Sequence, residues 1–351
     1  MMEKVKHKPM RLPAEWEPHS FTQLTWPGAE SCWAYMNMMD EIEECYVCMV
    51  DAIVRREPLL IVADDAEDVR RKLGASLASK VRLFTCPTND TWARDHGAIT
   101  TLDDDGCPTV NDFQFNGWGL KFPANKDNLI TRRLVRGALG GVRYRDAMDV
   151  VLEGGSIDSD GRGTILTTSS CLLSDNRNGF TSKLEAEEAL SRHFALDRVL
   201  WLDHGELIGD DTDGHVDTLA RFAPGDTIVY VGRPKDPSDA QAASLAKMEE
   251  QILQFTTSGG KPYRVVALPC PPPIFDKDDG TRLPATYANF YFVNGAILLP
   301  TYGVETDAEA VGIMSEAFPA FEVVPVDCRA LIRQHGSLHC STMQYPQGVK
   351  L

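Results

Sequence analysis

Near the C-terminus of this 351-residue chain, Cys340 follows His339 in GSLHCSTMQYP, a strand-like run framed by Gly336 and Pro346. A thiol attacks as the thiolate, which needs a base or positive surroundings. The densest supply of such groups is GDDTDGHVDTLARF, around residue 215. Read as a strand, it sets Asp211, Asp213, His215 and Asp217 on one face, because side chains alternate with period two. Four polar groups on one face predict a polar cavity rather than core. A calcium loop fails: counted from Asp211, the glycine arrives at position 4 instead of 6, and position 12 is Phe222 instead of Glu. A transition-metal site built on a single histidine has little else to support it.

NDTWARDHGAIT places Trp92 and Asp95 at a turn entering a strand. An indole face beside a carboxylate can seat a flat cation through the ring quadrupole and a charge-assisted hydrogen bond. Taken alone, Trp92 reads as core and Asp95 as a turn cap. In MDVVLEGGSID, Glu153 ends an apolar strand approach. A buried carboxylate is costly unless paired, so it calls for His215 or an arginine. Cys340 also reads as core when taken singly; joined to one histidine and several acids, it becomes a nucleophile candidate. Phosphate chemistry finds no support, since GALGG and SGGKP lack both GxGxxG after a strand and a GKT or GKS ending. The lone CxxC, Cys45 to Cys48, lies in a helical stretch without a second pair to complete a zinc set, and reads as packing. The arginines of TRRLVRGALGGVRYR read as a solvated face.

Positioning these groups requires alternating strands and helices, and the chain supplies them. Helical patterns run through SCWAYMNMMDEIEECYVCMVDAIVRRE, AEDVRRKLGASLAS, SKLEAEEALSRHFAL and SDAQAASLAKMEEQILQFTTS. The third opens on Ser182 with Glu185 three residues on, as a capping box does. Between them lie PLLIVAD, KVRLFTC, GAITTLD, GTILTTSSCLL, DTIVYVG, YRVVALP and GAILLPTYG, all β-rich. Polar or small segments beside apolar strands recur near residues 25, 95, 155, 215 and 292, roughly 60 to 77 residues apart. The spacing predicts five repeated units of α/β class within one domain, 1–351. They would form a radial array whose central ends meet, the unit carrying Cys340 closing the ring.

Composition narrows the partners. A formal net charge of −16 opposes nucleic acid, whose phosphates demand Lys and Arg, and also anionic membranes. It suits a small cationic ligand. No apolar run approaches the roughly 20 residues of a spanning helix. The N-terminal stretch shows no secretory h-region, and nine cysteines at irregular spacing read as reduced thiols, so a cytoplasmic location is expected.

LPAEWEPH, TWP, NDTWARDHGAI, FNGWGLKFP, LEGGSID, GDDTDGHVDTLARF, YANFYFVNGAILLPTYG and GSLHCSTMQYP together resemble the agmatine deiminase (agmatine iminohydrolase) family, in order from about residue 12 to 346. That family is related to bacterial peptidylarginine deiminase, and more distantly to arginine deiminases and amidinotransferases. The resemblance implies the five-bladed α/β propeller called the pentein fold, and hydrolysis of agmatine to N-carbamoylputrescine and ammonia. It implies Cys340 as the nucleophile that forms an amidino-thioether, and His215 as general acid and base. Asp95 and Asp217 would grip the guanidinium nitrogens, while Glu153 orients the histidine and helps bind substrate. Neither a metal nor an organic cofactor is expected. One departure is local: the family has Tyr then Gly-Pro after ARD, where this chain has His96, Gly97 and Ala98. An effect on substrate entry is expected from His96, and none on Asp95.

The implied chemistry is consistent with the residue types. Two carboxylates suit a planar cation through paired hydrogen bonds and hold it in line with the thiolate. The bound cation itself favours the thiolate. Asp211, on the expected face of His215 and Asp217, is the candidate contact for the distal ammonium of agmatine, with Trp92 a further substrate contact. Free arginine would instead call for a cation near its carboxylate. The alternatives are a deiminase of arginine or peptidyl-arginine, and a non-catalytic pentein acting as a binding scaffold, which would not need all five residues. Homo-oligomerisation is left open by the sequence.

Overall fold

The computed structural model describes residues 10–351; residues 1–9, part of the stretch read for a leader, lie outside them. The fold is mixed α/β, and five of its sheets share one plan. A first strand pairs antiparallel with a second, and the second pairs parallel with a third. An antiparallel pair closes through a short turn, whereas a parallel pair needs a crossover, here a helix each time. The second sheet uses Ile99–Leu102, Pro108–Gln114 and Arg143–Val151, with helix Ile130–Gly137 in the crossover. The third uses Ile157–Ser159, Thr164–Thr168 and Arg198–Leu202 with helix Lys183–Ser191. The fourth uses Ala220–Ala223, Thr227–Val231 and Arg264–Leu268 with helix Ala242–Ile252. The fifth uses Tyr291–Val293, Ala296–Thr301 and Glu322–Asp327 with helix Asp307–Ala317.

The first sheet draws on both ends of the chain. Its first strand is the C-terminal Thr342–Pro346, antiparallel to His19–Thr25, with Leu59–Ala63 and Val81–Thr85 following in parallel. A small hairpin pairs Ile274–Phe275 with Arg282–Leu283. Central strands such as Leu59–Ala63 and Thr227–Val231 are buried along their whole length, which is why they read as continuous apolar runs. Asn294–Gly295 supplies a two-residue turn between strands, with Gly295 at φ +77°.

Several expectations need correction. The first long helical pattern is two helices, Cys32–Tyr35 and Met39–Val54, because Asn37 sits between them at φ +53°, a conformation asparagine tolerates. Of the CxxC pair, Cys45 is buried but Cys48 is exposed. Ser182 caps its helix by accepting from Glu185 N–H, but the Glu185 carboxylate returns to Thr181 rather than to Ser182. The arginines of 132–145 are not all solvated: Arg132 pairs with Asp112, and buried Arg145 donates to the His193 carbonyl. Among the described residues no helix is long and apolar enough to cross a membrane.

Candidate active site

In every one of the five sheets, the residues just before the first strand carry polar groups. Asp95 precedes Ile99–Leu102, Gly155 precedes Ile157–Ser159 and Asp217 precedes Ala220–Ala223; Asn289 precedes Tyr291–Val293 and Cys340 precedes Thr342–Pro346. These segments meet. A Cβ placed on Gly155 would lie 2.6 Å from His215 Nδ1, 2.8 Å from Asp95 Oδ1 and 3.1 Å from Asp217 Oδ2, so only glycine allows this approach. The segment near residue 25, expected among the five, is instead the second strand of its sheet. Its place is taken by residues 336–341, which are turns rather than the expected strand.

Cys340 Sγ is buried, receives a hydrogen bond from Asn289 Nδ2 at 3.3 Å, and lies 3.8 Å from Asp217 Oδ2. Asn289 Oδ1 accepts from the backbone N–H of His339 at 2.9 Å and of Cys340 at 3.3 Å. One amide therefore holds both the turn and its sulfur. Asp217 Oδ2 lies 2.7 Å from His339 Nδ1, while Oδ1 is buried without a partner among the described residues. His339 Nε2 reaches Glu15 Oε2 at 2.7 Å, and Arg221 and Arg94 meet the same oxygen at 3.0 and 3.2 Å. His339 is thus a strut between two carboxylates rather than a group facing the cavity. Burial would raise the Glu15 carboxyl, but Arg221, His339 and Arg94 hold it well below the usual range. Asp217 is also lowered: His339, His215 and Arg221 outweigh its burial.

Asp95 Oδ1 accepts from Gly155 N–H at 3.1 Å and Oδ2 from Trp118 Nε1 at 2.9 Å. Burial pushes this carboxyl up to about 6; the charge of His215 and the Trp118 bond oppose the rise, and Asp217 and Glu153 add to it. His215 Nδ1 stands 3.7 Å from Asp95 Oδ1, an ion-pair rather than a hydrogen-bond distance. Burial alone would favour a neutral ring, but Asp95, Cys171 and Glu153 raise His215 well above its ordinary value. Burial, then the charges of Asp217 and Asp95, push the Cys340 thiol well up, which favours its protonated form.

A cavity opens on Cys340 and Asp95, walled by Trp92 and Trp118 and lined also by Asp90 and Asp211. Four of the residues anticipated from sequence therefore share it: Cys340, Asp95, Trp92 and Asp211. His215 and Asp217 adjoin them behind Gly155. Glu153 is instead committed to Arg177, 2.9 Å away, with both side chains fully buried; the arginine is the partner its burial required. The shared strand face of residues 211–217 does not form. Asp213 (φ +68°) and Gly214 (φ +90°) turn the chain, Val216–Thr218 is a 3-10 turn, and Asp213 points to Lys121 and Arg177. His96 packs its ring edge-on to Phe115 and does not line the cavity, contrary to the expected effect on entry. Burial lowers it to about 3, so it is neutral. Glu153, Cys171 and His215 form the one trio among the described residues with ligand atoms within 4.8 Å of one another. Arg177 already supplies the cation there, which leaves the trio ill suited to a metal.

The Porphyromonas-type peptidyl-arginine deiminase family model matches residues 11–346. An agmatine deiminase of Pseudomonas aeruginosa is 34% identical, over 96% of this chain and 95% of its own length. A Porphyromonas gingivalis protein solved as a candidate arginine deiminase superposes with a TM-score of 0.91 at 49% identity, covering 97% of this chain and 99% of that one. A C. jejuni agmatine deiminase variant with substrate bound superposes at 0.89 with 34% identity, covering 97% of each chain.

Proposed function

Because this chain belongs to the Porphyromonas-type peptidyl-arginine deiminase family, we propose that it hydrolyses agmatine to N-carbamoylputrescine and ammonia. The observation that carries this reading is the convergence of a buried thiol, an imidazole and two carboxylates, one with an oxygen, Asp217 Oδ1, that has no partner among the described residues. That oxygen and the Asp95 carboxylate are acceptors for guanidinium N–H groups, and Cys340 Sγ stands beside them. Burial and the charges of Asp217 and Asp95 keep the thiol protonated; entry of the cation offsets the two charges, and the thiol proton leaves to solvent because His215 is already charged. Cys340 sulfur then bonds to the guanidinium carbon. The bond from that carbon to a terminal nitrogen breaks as His215 protonates the departing ammonia, leaving an amidino-thioether. Neutral His215 next takes one proton from water, whose oxygen bonds to the carbon as the carbon–sulfur bond breaks; the second water proton passes to the departing thiolate, releasing the ureido product and restoring the Cys340 thiol.

On this reading Glu153 acts through its place beside His215, Trp92 walls the cavity, and Asp211 meets the distal ammonium. Lys121 is tied down there, donating to the Asp211 carbonyl and to the Asp213 carboxylate, each at 2.6 Å. The same reading closes the five sheets into a five-bladed propeller forming one catalytic domain, 1–351. The test assays ureido product from agmatine, arginine and a peptidyl-arginine side by side. Agmatine should give the highest kcat/KM, the gap to arginine should narrow in Asp211→Asn, and Cys340→Ser should be inactive. Equal use of arginine would move the substrate to the free amino acid, and turnover by Cys340→Ser would remove the covalent route.

A further inference from the structure

His215 is fully buried, and among the described residues neither ring nitrogen makes a hydrogen bond of good geometry. Beside it stands Cys171, also fully buried, whose sulfur lies within 4.8 Å of a ring nitrogen of His215 and of a Glu153 oxygen. Glu153 is taken up by Arg177 Nε, at 2.9 and 3.1 Å from its two oxygens, which leaves the thiol, of these two neighbours, as the one available to the ring. Its placement is built in. Thr168 caps the short helix Ser169–Leu172 by accepting from Cys171 N–H at 3.3 Å, and the same hydroxyl donates to the Gly214 carbonyl at 2.6 Å. One side chain therefore ties the turn carrying Cys171 to the residue preceding His215. Gly214, at φ +90°, lets that approach happen; a Cβ there would lie 2.7 Å from Ser170 Oγ.

We propose that Cys171 is a positioning residue for His215, its thiol serving as hydrogen-bond partner to the ring in both protonation states. A group that gives a proton to ammonia and then takes one from water changes its hydrogen-bonding role twice per turnover. A second close carboxylate would fix the proton on the ring, and an alkyl group would strand it. A thiol accepts from the imidazolium N–H and donates to the neutral ring, while its own proton count stays constant. Burial, which raises the Cys171 thiol despite its contact with His215, favours that constant neutral form. Because a thiol is a weak partner, the ring proton remains free to move.

The kinetic part of this inference rests on the deiminase reading; the titration part does not. The test compares full-length Cys171→Ser, Cys171→Ala and Cys171→Val, each checked for its Tm. Without substrate, the His215 ring is followed by NMR across pH, its signal assigned with His215→Asn. In the Ala and Val variants His215 should lose its proton at lower pH than in the wild type, and Cys171→Ser should recover most of that difference. With agmatine, Ala and Val should lose about 10- to 100-fold in kcat with KM little changed and the basic limb of kcat moved to lower pH; Ser should restore most of the rate. Folded Ala and Val variants with the wild-type titration and kcat profile would overturn the proposal, as would a folded Ser variant no better than Ala. If the wild type turned over no guanidino compound, the deiminase reading would fall, and the titration would still decide the role of Cys171.

Discussion

Trp118→Phe tests whether Asp95 must be ionised to take up substrate. The indole Nε1–H donates to Asp95 Oδ2 at 2.9 Å, and the other oxygen accepts from Gly155 N–H. Asp95 titrates at about 6, so below that pH a neutral carboxyl meets the incoming cation. Since kcat/KM reports the free enzyme, it should fall as pH drops through about 6. Phenylalanine retains an aromatic ring against Phe115 and Phe122, with which Trp118 makes edge-to-face contacts at 4.9 and 5.6 Å, but it removes the donor. A hydrogen bond to a charged group contributes about 1.5–3 kcal/mol, equivalent to about one to two pH units. Water from the adjoining cavity replaces part of it, so the expectation is about one pH unit. The sign follows from which form the bond favours: it stabilises the carboxylate, so its loss raises the carboxyl's pKa and moves the acidic limb upward. At pH 6 the variant should therefore lose about fivefold in kcat/KM relative to the wild type, by the ratio of ionised fractions. At pH 8 the two should nearly coincide. The assay is initial-rate agmatine turnover from pH 5 to 9. A limb that stays in place, or an equal loss at every pH, would refute the assignment of that limb to Asp95 and leave Trp118 only a wall of the cavity.

His96→Phe should flatten the loss of stability on acidification. The unfolded chain protonates this histidine near its ordinary 6.5 whereas the folded one does so only at about 3; between those values the unfolded state holds more protons, so stability falls as pH falls, by at most about 1.4 kcal/mol per pH unit from this group. Urea titrations at pH 6, 5 and 4 measure it, and parallel slopes for both proteins would show that His96 is not the buried neutral group. Asn289→Ala removes the donor to Cys340 Sγ and should slow iodoacetamide alkylation of Cys340 about tenfold, the equivalent of one lost hydrogen bond to a thiolate. An unchanged alkylation rate would count against that bond favouring the thiolate.

The parts of this site that could be read from sequence are those whose signals are local. Cys340, Asp95 and Asp211 announce themselves as reactive or charged groups in short polar stretches abutting apolar strands, and all three line one cavity. The capping serine of helix Lys183–Ser191 is equally local. Even so, the alternation in residues 211–217 misleads. Asp213-Gly214 is a turn signal inside a pattern of period two, and the two left-handed residues there replace a strand with a loop. Asn289 and Trp118 carry no such signal for a chemical reason: an amide and an indole have no charge to give them away, and they stand in stretches dominated by aromatic and small residues. Glu15 carries none for a topological one. It meets His339 across 324 positions, and no local pattern encodes a contact of that span; it exists because Thr342–Pro346 pairs with His19–Thr25. That pairing also accounts for a thiol and an imidazole so close to the end of the chain. The first sheet takes its first strand from the C-terminus, so the turn before that strand is the equivalent of the short segments that carry Asp95, Gly155, Asp217 and Asn289, and Cys340 occupies it.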